Sequence, residues 1–260
     1  MKSILEYYEN YDEEVRLVKD NAHKIEFITT MHYLDKIVKP GARILEVGAG
    51  TGRYSFCLAE KGHSVTALDI TPKHIEIMKE KANHKDLDIN IVLGDAKNLS
   101  GFKDNSYDVV LCLGPLYHFS VEEEKIQCLD ECLRVLKSGG ILAVAYINRF
   151  STFVNMINRK KENINDEGLN NIVKTGLEYG DERDCFYYSK YDDIENLMNS
   201  FNVTKIDHIG TDGLASTISE TLNEFNGAEF EKWMEYHLMT CRDSSLIGYS
   251  QHGLYICEKI

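Results

Sequence analysis

The chain has 260 residues, 42 acidic against 29 basic side chains, a formal net charge of −13 and 43% hydrophobic residues. Binding a polyanion needs clustered Lys and Arg, and the longest basic cluster is Arg159-Lys160-Lys161, so no nucleic-acid partner is expected. No apolar run is long enough to cross a bilayer and the start lacks a signal-peptide core, so the sequence predicts a cytoplasmic protein without a membrane partner, monomeric or homodimeric. Its seven cysteines, at 57, 112, 128, 132, 185, 241 and 257, contain no C-x-x-C pair and read as reduced thiols. Cys128 and Cys132 lie one helical turn apart with no His or carboxylate cluster beside them, so they read as packing or surface thiols with no metal site.

Residues 1–39 open with Tyr7, Tyr8, Tyr11 and Arg16 ahead of a helical pattern, Ile25, Ile28, Tyr33 and Ile37. Ile44 to Val47 then reads as an apolar strand that carries Glu46 and runs into glycines at 48, 50 and 52. Glycine permits positive φ and lets a ligand approach the backbone, and Arg53 to Lys61 reads as a helix whose free N–H groups face that ligand. A dinucleotide fingerprint would place its third glycine at position 53, which is Arg. Ser64 to Asp69 is a second strand ending in an acid, 21 residues after Gly48 and close to the spacing of a ribose-binding carboxylate. Thr71-Pro72 starts a helix immediately afterwards. Ile89 to Leu93 is a third strand, ending in Gly94-Asp95-Ala96, and the fourth, from Tyr107, breaks at Gly114-Pro115 before Leu116-Tyr117-His118. Ser120-Val121-Glu122-Glu123 reads as a capping box opening a helix with Ile126, Leu129, Leu133 and Leu136 on one face, stopped by Ser138-Gly139-Gly140. Ile141 to Ile147 is the fifth strand. Val203 to Ile209 and Gly253 to Cys257 complete the strands, around a helical stretch over 214–242 that holds the only tryptophan, Trp233.

The Glu46-x-Gly48-x-Gly50-x-Gly52 loop, Asp69, Gly94-Asp95-Ala96 and the Gly114-Pro115 break come in an order that resembles the class I, Rossmann-like, S-adenosylmethionine-dependent methyltransferases of the small-molecule type. The resemblance covers about residues 40–150 and continues more loosely beyond. It implies an α/β fold: a doubly wound, mostly parallel seven-stranded sheet with an antiparallel last strand, helices on both faces, and a small cap over the active site. Within one domain over 1–260, residues 1–39 would form a helical lid, 40–147 the cofactor-binding core, and 148–191 with 211–245 the substrate cap. S-adenosylmethionine, and S-adenosylhomocysteine after transfer, would rest on Glu46, Gly48, Ala49, Gly50 and Gly52 at the amino-acid end. Asp69 would meet the ribose and Asp95 and Ala96 the adenine, with Ile70 and Leu113 also among the cofactor-binding residues. In the lid, Arg16 would pair with the cofactor's carboxylate and Tyr11 would hydrogen-bond it, unless the tyrosines simply pack on the core.

A sulfonium methyl is already activated, so alignment and exclusion of water can supply most of the catalysis, with a base needed only for a protonated nucleophile. His118 and Tyr117, just past the fourth strand, are the catalytic candidates, with His118 expected to titrate near neutrality. Tyr187, Tyr188 and His252 are weaker candidates that no motif places. The fourth strand's end lacks the Asp/Asn-Pro-Pro-Tyr pattern of nucleic-acid amino methyltransferases, which points to a small-molecule acceptor. The acidic run Asp181-Glu182-Asp184 favours a cationic or aromatic one. A nicotinamide-dependent oxidoreductase and a non-catalytic cofactor-binding protein are the alternatives.

Overall fold

Strands β1 (Arg43–Val47), β2 (Ser64–Asp69) and β4 (Tyr107–Cys112) are buried along nearly their whole length, the condition of parallel strands covered on both faces. The computed structural model describes residues 2–83, 85–181 and 183–260 and joins these strands to β3 (Ile89–Leu93), β5 (Leu136–Asn148), β7 (Val203–Gly210) and β8 (His252–Lys259). The order is β3-β2-β1-β4-β5-β8-β7, with only β8 antiparallel to its neighbours, which is the sheet expected from the sequence. A two-residue strand that the sequence did not announce, β6 (Tyr188–Ser189), pairs in parallel with Ile147 and Asn148.

Alternating side chains divide the core between the two faces. Leu45, Val47, Val110 and Cys112 pack against Cys128, Leu129, Cys132 and Val135 of α5 (Glu122–Val135) and Ile194 and Met198 of α8 (Tyr191–Met198). Ile44, Val109 and Leu111 point the other way, onto Met31 and Leu34 of α2 (Asn21–Ile37) and Leu58 of α3 (Arg53–Glu60). The chain winds outward through β2 and β3 and then returns to β4 on the far side of β1. That reversal opens a crevice at the carboxyl ends of β1 and β4.

Two local expectations fail. Val121, not Ser120, is the N-cap of α5 and no side chain caps it; Ser120 stands one residue too early, while Glu122, Glu123 and Glu124 complement the dipole. Leu136 does not finish that helix, because it already pairs with Tyr107 of β4, and the positive φ of Gly139 accompanies a shift of register there. The pair Cys128 and Cys132 also gains a third member: Cys112 brings the three sulfur atoms within 4.8 Å of one another, all fully buried. These are core thiols and not surface ones.

The remaining elements stand around the crevice. Helices α1 (Lys2–Asn10) and α4 (Pro72–Ala82) flank its glycine-loop side. After β5 come α6 (Arg149–Arg159) and α7 (Glu167–Thr175). After β7 come α9 (Ser219–Glu224), α10 (Gly227–Thr240) and α11 (Ser244–Ile247), where Leu222, Met234 and Trp233 pack on Ala22 and Ile25 of α2. Among the described residues no helix is long and apolar enough to cross a membrane.

Candidate active site

The crevice holds a cavity with about 1190 Å³ of empty space, mouth included. Its floor follows from backbone geometry. Gly48 and Gly50 have φ of 70° and 57°, which L side chains rarely adopt, and a Cβ on Gly48 would lie 2.7 Å from Cδ of Pro115. The glycine loop can therefore nest against the break at the end of β4. Asp69, at the end of β2, fastens the loop: its carboxylate accepts from the N–H of Gly50 (2.7 Å), the N–H of Thr71 (2.8 Å) and Nδ1 of His74 (3.2 Å).

Of the residues singled out in the sequence, Arg16, Glu46, Gly48, Ala49, Gly50, Asp69, Ile70, Asp95, Ala96, Leu113, Tyr117 and His118 all line this cavity. Gly52 does not; a Cβ there would meet Phe56 and Met78, so its glycine serves helix packing. Tyr11 does not either, because it follows the end of α1 and stacks on Tyr7 at 5.3 Å. Tyr8, one helical turn earlier, takes that place in the wall. Of the three weaker candidates, Tyr187 and Tyr188 lie outside the lining, whereas His252 is within it. Asp181 and Asp184 of the acidic run do not line the cavity. Asp184 accepts from the N–H groups of Glu178, Tyr179 and Gly180 and so organises its own loop, Asp181 pairs with Arg183, and Glu182 lies outside the described residues. The reason it gave for a cationic acceptor is thereby removed.

The electrostatics also depart from expectation. His118 is enclosed: Cys185 O can only accept, so Nδ1 donates to it (2.7 Å), and Nε2 is left to accept from the Tyr8 hydroxyl (3.0 Å). Burial pushes this imidazole down to about 4, far from neutrality. Tyr117 is a neutral phenol, its pKa raised by burial. Arg16 is not free to meet a ligand carboxylate, since it bridges both oxygens of Glu26 (2.7 and 3.2 Å) and reaches Glu13 at 2.8 Å. Glu46 is fully enclosed, and burial raises its carboxyl to about 8 against the opposing bond from Ser55. Tyr8, Glu26 and His74 are among the wall residues that the sequence did not put forward as site residues. His74 is the most informative, because its Nε2 is buried with no hydrogen-bond partner among the described residues.

Residues 45–144 match the family model described as a methyltransferase domain. Over 114 residues the chain is 28% identical to a ubiquinone biosynthesis O-methyltransferase of Xanthomonas campestris pv. campestris, covering 44% of this chain and 46% of that one. It is 31% identical over 120 residues to the enzyme of that name from Xylella fastidiosa, covering 46% and 48%. The chain thus spans about half the length of the curated relatives it matches. A SAM-dependent methyltransferase from Methanosarcina mazei superposes with a TM-score of 0.59 at 19% identity, covering 88% of this chain and 97% of the other. With the sheet order, the glycine loop and the acids at the ends of β2 and β3 now in place, the fold is that of the class I S-adenosylmethionine-dependent methyltransferases, and residues 45–144 carry the match to a methyltransferase domain.

Proposed function

We propose that this cavity binds S-adenosylmethionine and that the protein transfers its methyl group to a small-molecule acceptor. The observation that carries the reading is the convergence of Gly48, Gly50, Asp69, His74, Asp95 and Ala96 on one cavity at the topological switch point. The residues present fit the cofactor. The Asp69 carboxylate can accept from ribose hydroxyls, Asp95 and the Ala96 N–H, one strand further out, can meet the adenine, and the glycine loop can receive the amino-acid end. With Nδ1 of His74 donating to Asp69, the partnerless Nε2 is an acceptor waiting for a donor that the protein does not supply. The buried Glu46 carboxyl suits a cationic neighbour, which would favour its ionised form.

Bound S-adenosylmethionine would supply a sulfonium methyl open to in-line displacement, the carbon–sulfur electron pair remaining on sulfur to give S-adenosylhomocysteine. The protein's part is positioning. His118 and Tyr117 shape the wall past β4, and the Tyr8–His118 bond holds α1 over it, so water is excluded where the acceptor must align. Lys73 fastens the same helix by donating to the carbonyls of Tyr8, Glu9 and Tyr11. A site closed in this way suits a small acceptor better than a polymer that must thread through it. The net charge of −13 and the ubiquinone biosynthesis O-methyltransferases among the relatives favour the same substrate class. Calorimetric titration with S-adenosylmethionine tests the cofactor assignment, and saturable heat is expected. The absence of any binding would overturn it.

A further inference from the structure

Because β8 runs antiparallel, its first residue lies at the carboxyl end of the parallel strands: His252 pairs with Ile147 at the end of β5. Asp69 ends β2, four strand spacings away along the order β2-β1-β4-β5-β8, or roughly 19 Å at about 4.8 Å per spacing. Both line the same cavity. With the glycine loop, Asp69 and Asp95 committed to the cofactor, the His252 end is left for the acceptor.

The chemistry at that end is specific. Nδ1 of His252 lies 2.8 Å from Asp212 and 3.2 Å from Glu26, and its backbone N–H donates to Asp212 at 3.0 Å. Asp212 is itself held by the Ser250 hydroxyl and is buried at 6% exposure. Carboxylates accept, so Nδ1 carries the proton and Nε2 carries the lone pair. Nε2 has no partner among the described residues, and the 19% of the side chain left exposed belongs to a residue of the cavity wall. An imidazole fixed through one nitrogen by a buried carboxylate, with the other nitrogen open to a cavity, is the arrangement of a general base.

We propose that His252, oriented by Asp212, is the general base that deprotonates the methyl acceptor, an inference that rests on reading this cavity as a methyl-transfer site. In that step the acceptor's X–H bond breaks, where X is oxygen, nitrogen or sulfur. The proton forms the Nε2–H bond, and the pair left on X becomes the nucleophile. The imidazolium so formed is balanced by Asp212 and Glu26. His118 cannot take this part, since both of its nitrogens are already bonded within the protein. A metal ion among Glu26, Asp212 and His252 would have to displace the Arg16 guanidinium from both oxygens of Glu26.

The titration of His252 reflects every charged group around it. Burial lowers its pKa, Glu26 of α2 and Asp212 beyond β7 raise it, and Arg16, itself paired with Glu13, lowers it; the net direction is upward. His237 of α10 faces Asp212 from behind, and Tyr54 of α3 and Glu46 of β1 share the cavity wall. Methyl transfer should therefore rise with pH through an apparent pKa above that of free imidazole, about 6.5.

Carbon-detected NMR titration of the histidine rings in the ligand-free protein gives a test independent of turnover. His252 is expected to titrate above free imidazole and to fall by roughly one unit in Asp212→Asn. Titration below free imidazole in the wild type would overturn the proposal. His252→Asn is then compared with wild type for melting, for S-adenosylmethionine affinity by calorimetry, and for transfer of tritiated methyl into the small-molecule fraction of a metabolite extract. The expected result is melting and affinity close to wild type, with transfer reduced about 10²- to 10⁴-fold and the pH dependence lost. Transfer within about ten-fold of wild type with an unchanged pH profile would refute the base, even with the cofactor site intact. A wild type that binds no cofactor would instead remove the reading on which it rests.

Discussion

Asp69 fastens the glycine loop, and in the proposed reading the same carboxylate also meets the cofactor's ribose. It fastens the glycine loop and the start of α4 through the N–H groups of Gly50 and Thr71, and its remaining acceptor capacity is what a ribose diol would use. Asp69→Ala should weaken cofactor binding by about 1.5–3 kcal/mol, the range of charge-assisted hydrogen bonds, and calorimetry reads this directly. Unchanged affinity would mean that Asp69 is a loop fastener only. Glu46 is testable through its proton. Its carboxyl titrates near 8 in the folded chain against 4.5 when unperturbed, so folding stability from the neutral form is complete below the lower value and is lost as pH rises through the higher one. A cationic ligand that draws Glu46 into its ionised form near pH 7 should release about one proton at most. Binding enthalpy should then change between buffers of different ionisation heat, and a buffer-independent enthalpy would contradict the placement. His118 runs the opposite way. Its folded value near 4 lies below the free one, so its contribution is present above about 6.5 and is lost as pH falls toward 4. His118→Asn should keep turnover within about ten-fold, since a positioning side chain contributes shape and not proton transfer, and it should flatten the loss of stability in acid. A thousand-fold loss of turnover would restore His118 to a chemical role.

At the scale of elements, α1 is the part whose place depends on few bonds. Lys73 binds its last carbonyls, where helical C=O groups have no partners of their own, and Tyr8 binds His118. Lys73→Met should raise amide hydrogen exchange across residues 2–12 without altering exchange in the sheet, as expected when a lid opens locally. Protection equal to wild type would show that packing of Tyr7 on Phe186 suffices. The central strands were legible in the sequence because burial on both faces leaves continuous apolar runs, and the glycine loop because positive φ selects its residue type. The boundaries of α5 were not legible. Ser120 satisfies a capping pattern in letters yet stands one residue out of register, and Leu136 fits a helical stripe although its backbone partner is Tyr107. Local periodicity cannot report a hydrogen bond made to another strand.

The whole molecule shows the same division between local and distant information. Residues held by short motifs, Glu46, Gly48, Asp69, Asp95 and Ala96, could be named from those motifs and the family they resemble, and do line one cavity. His252 and Glu26 could not be placed, because what matters in them is a neighbour far along the chain: Asp212 and Glu26 meet His252 only after α2 and the last strand have folded onto the sheet. Cofactor binding should stabilise this assembly as a unit, by about 2.7 kcal/mol at a hundredfold excess over the dissociation constant, which raises the melting temperature by several degrees. The most direct measurement of the central claim follows tritiated methyl from S-adenosylmethionine through a whole-cell extract fractionated into small metabolites, protein, RNA and DNA. The account predicts enzyme-dependent label in the small-metabolite fraction alone. Label accumulating in RNA or DNA at physiological salt, or label that remains entirely in the cofactor while the protein binds it, would contradict it.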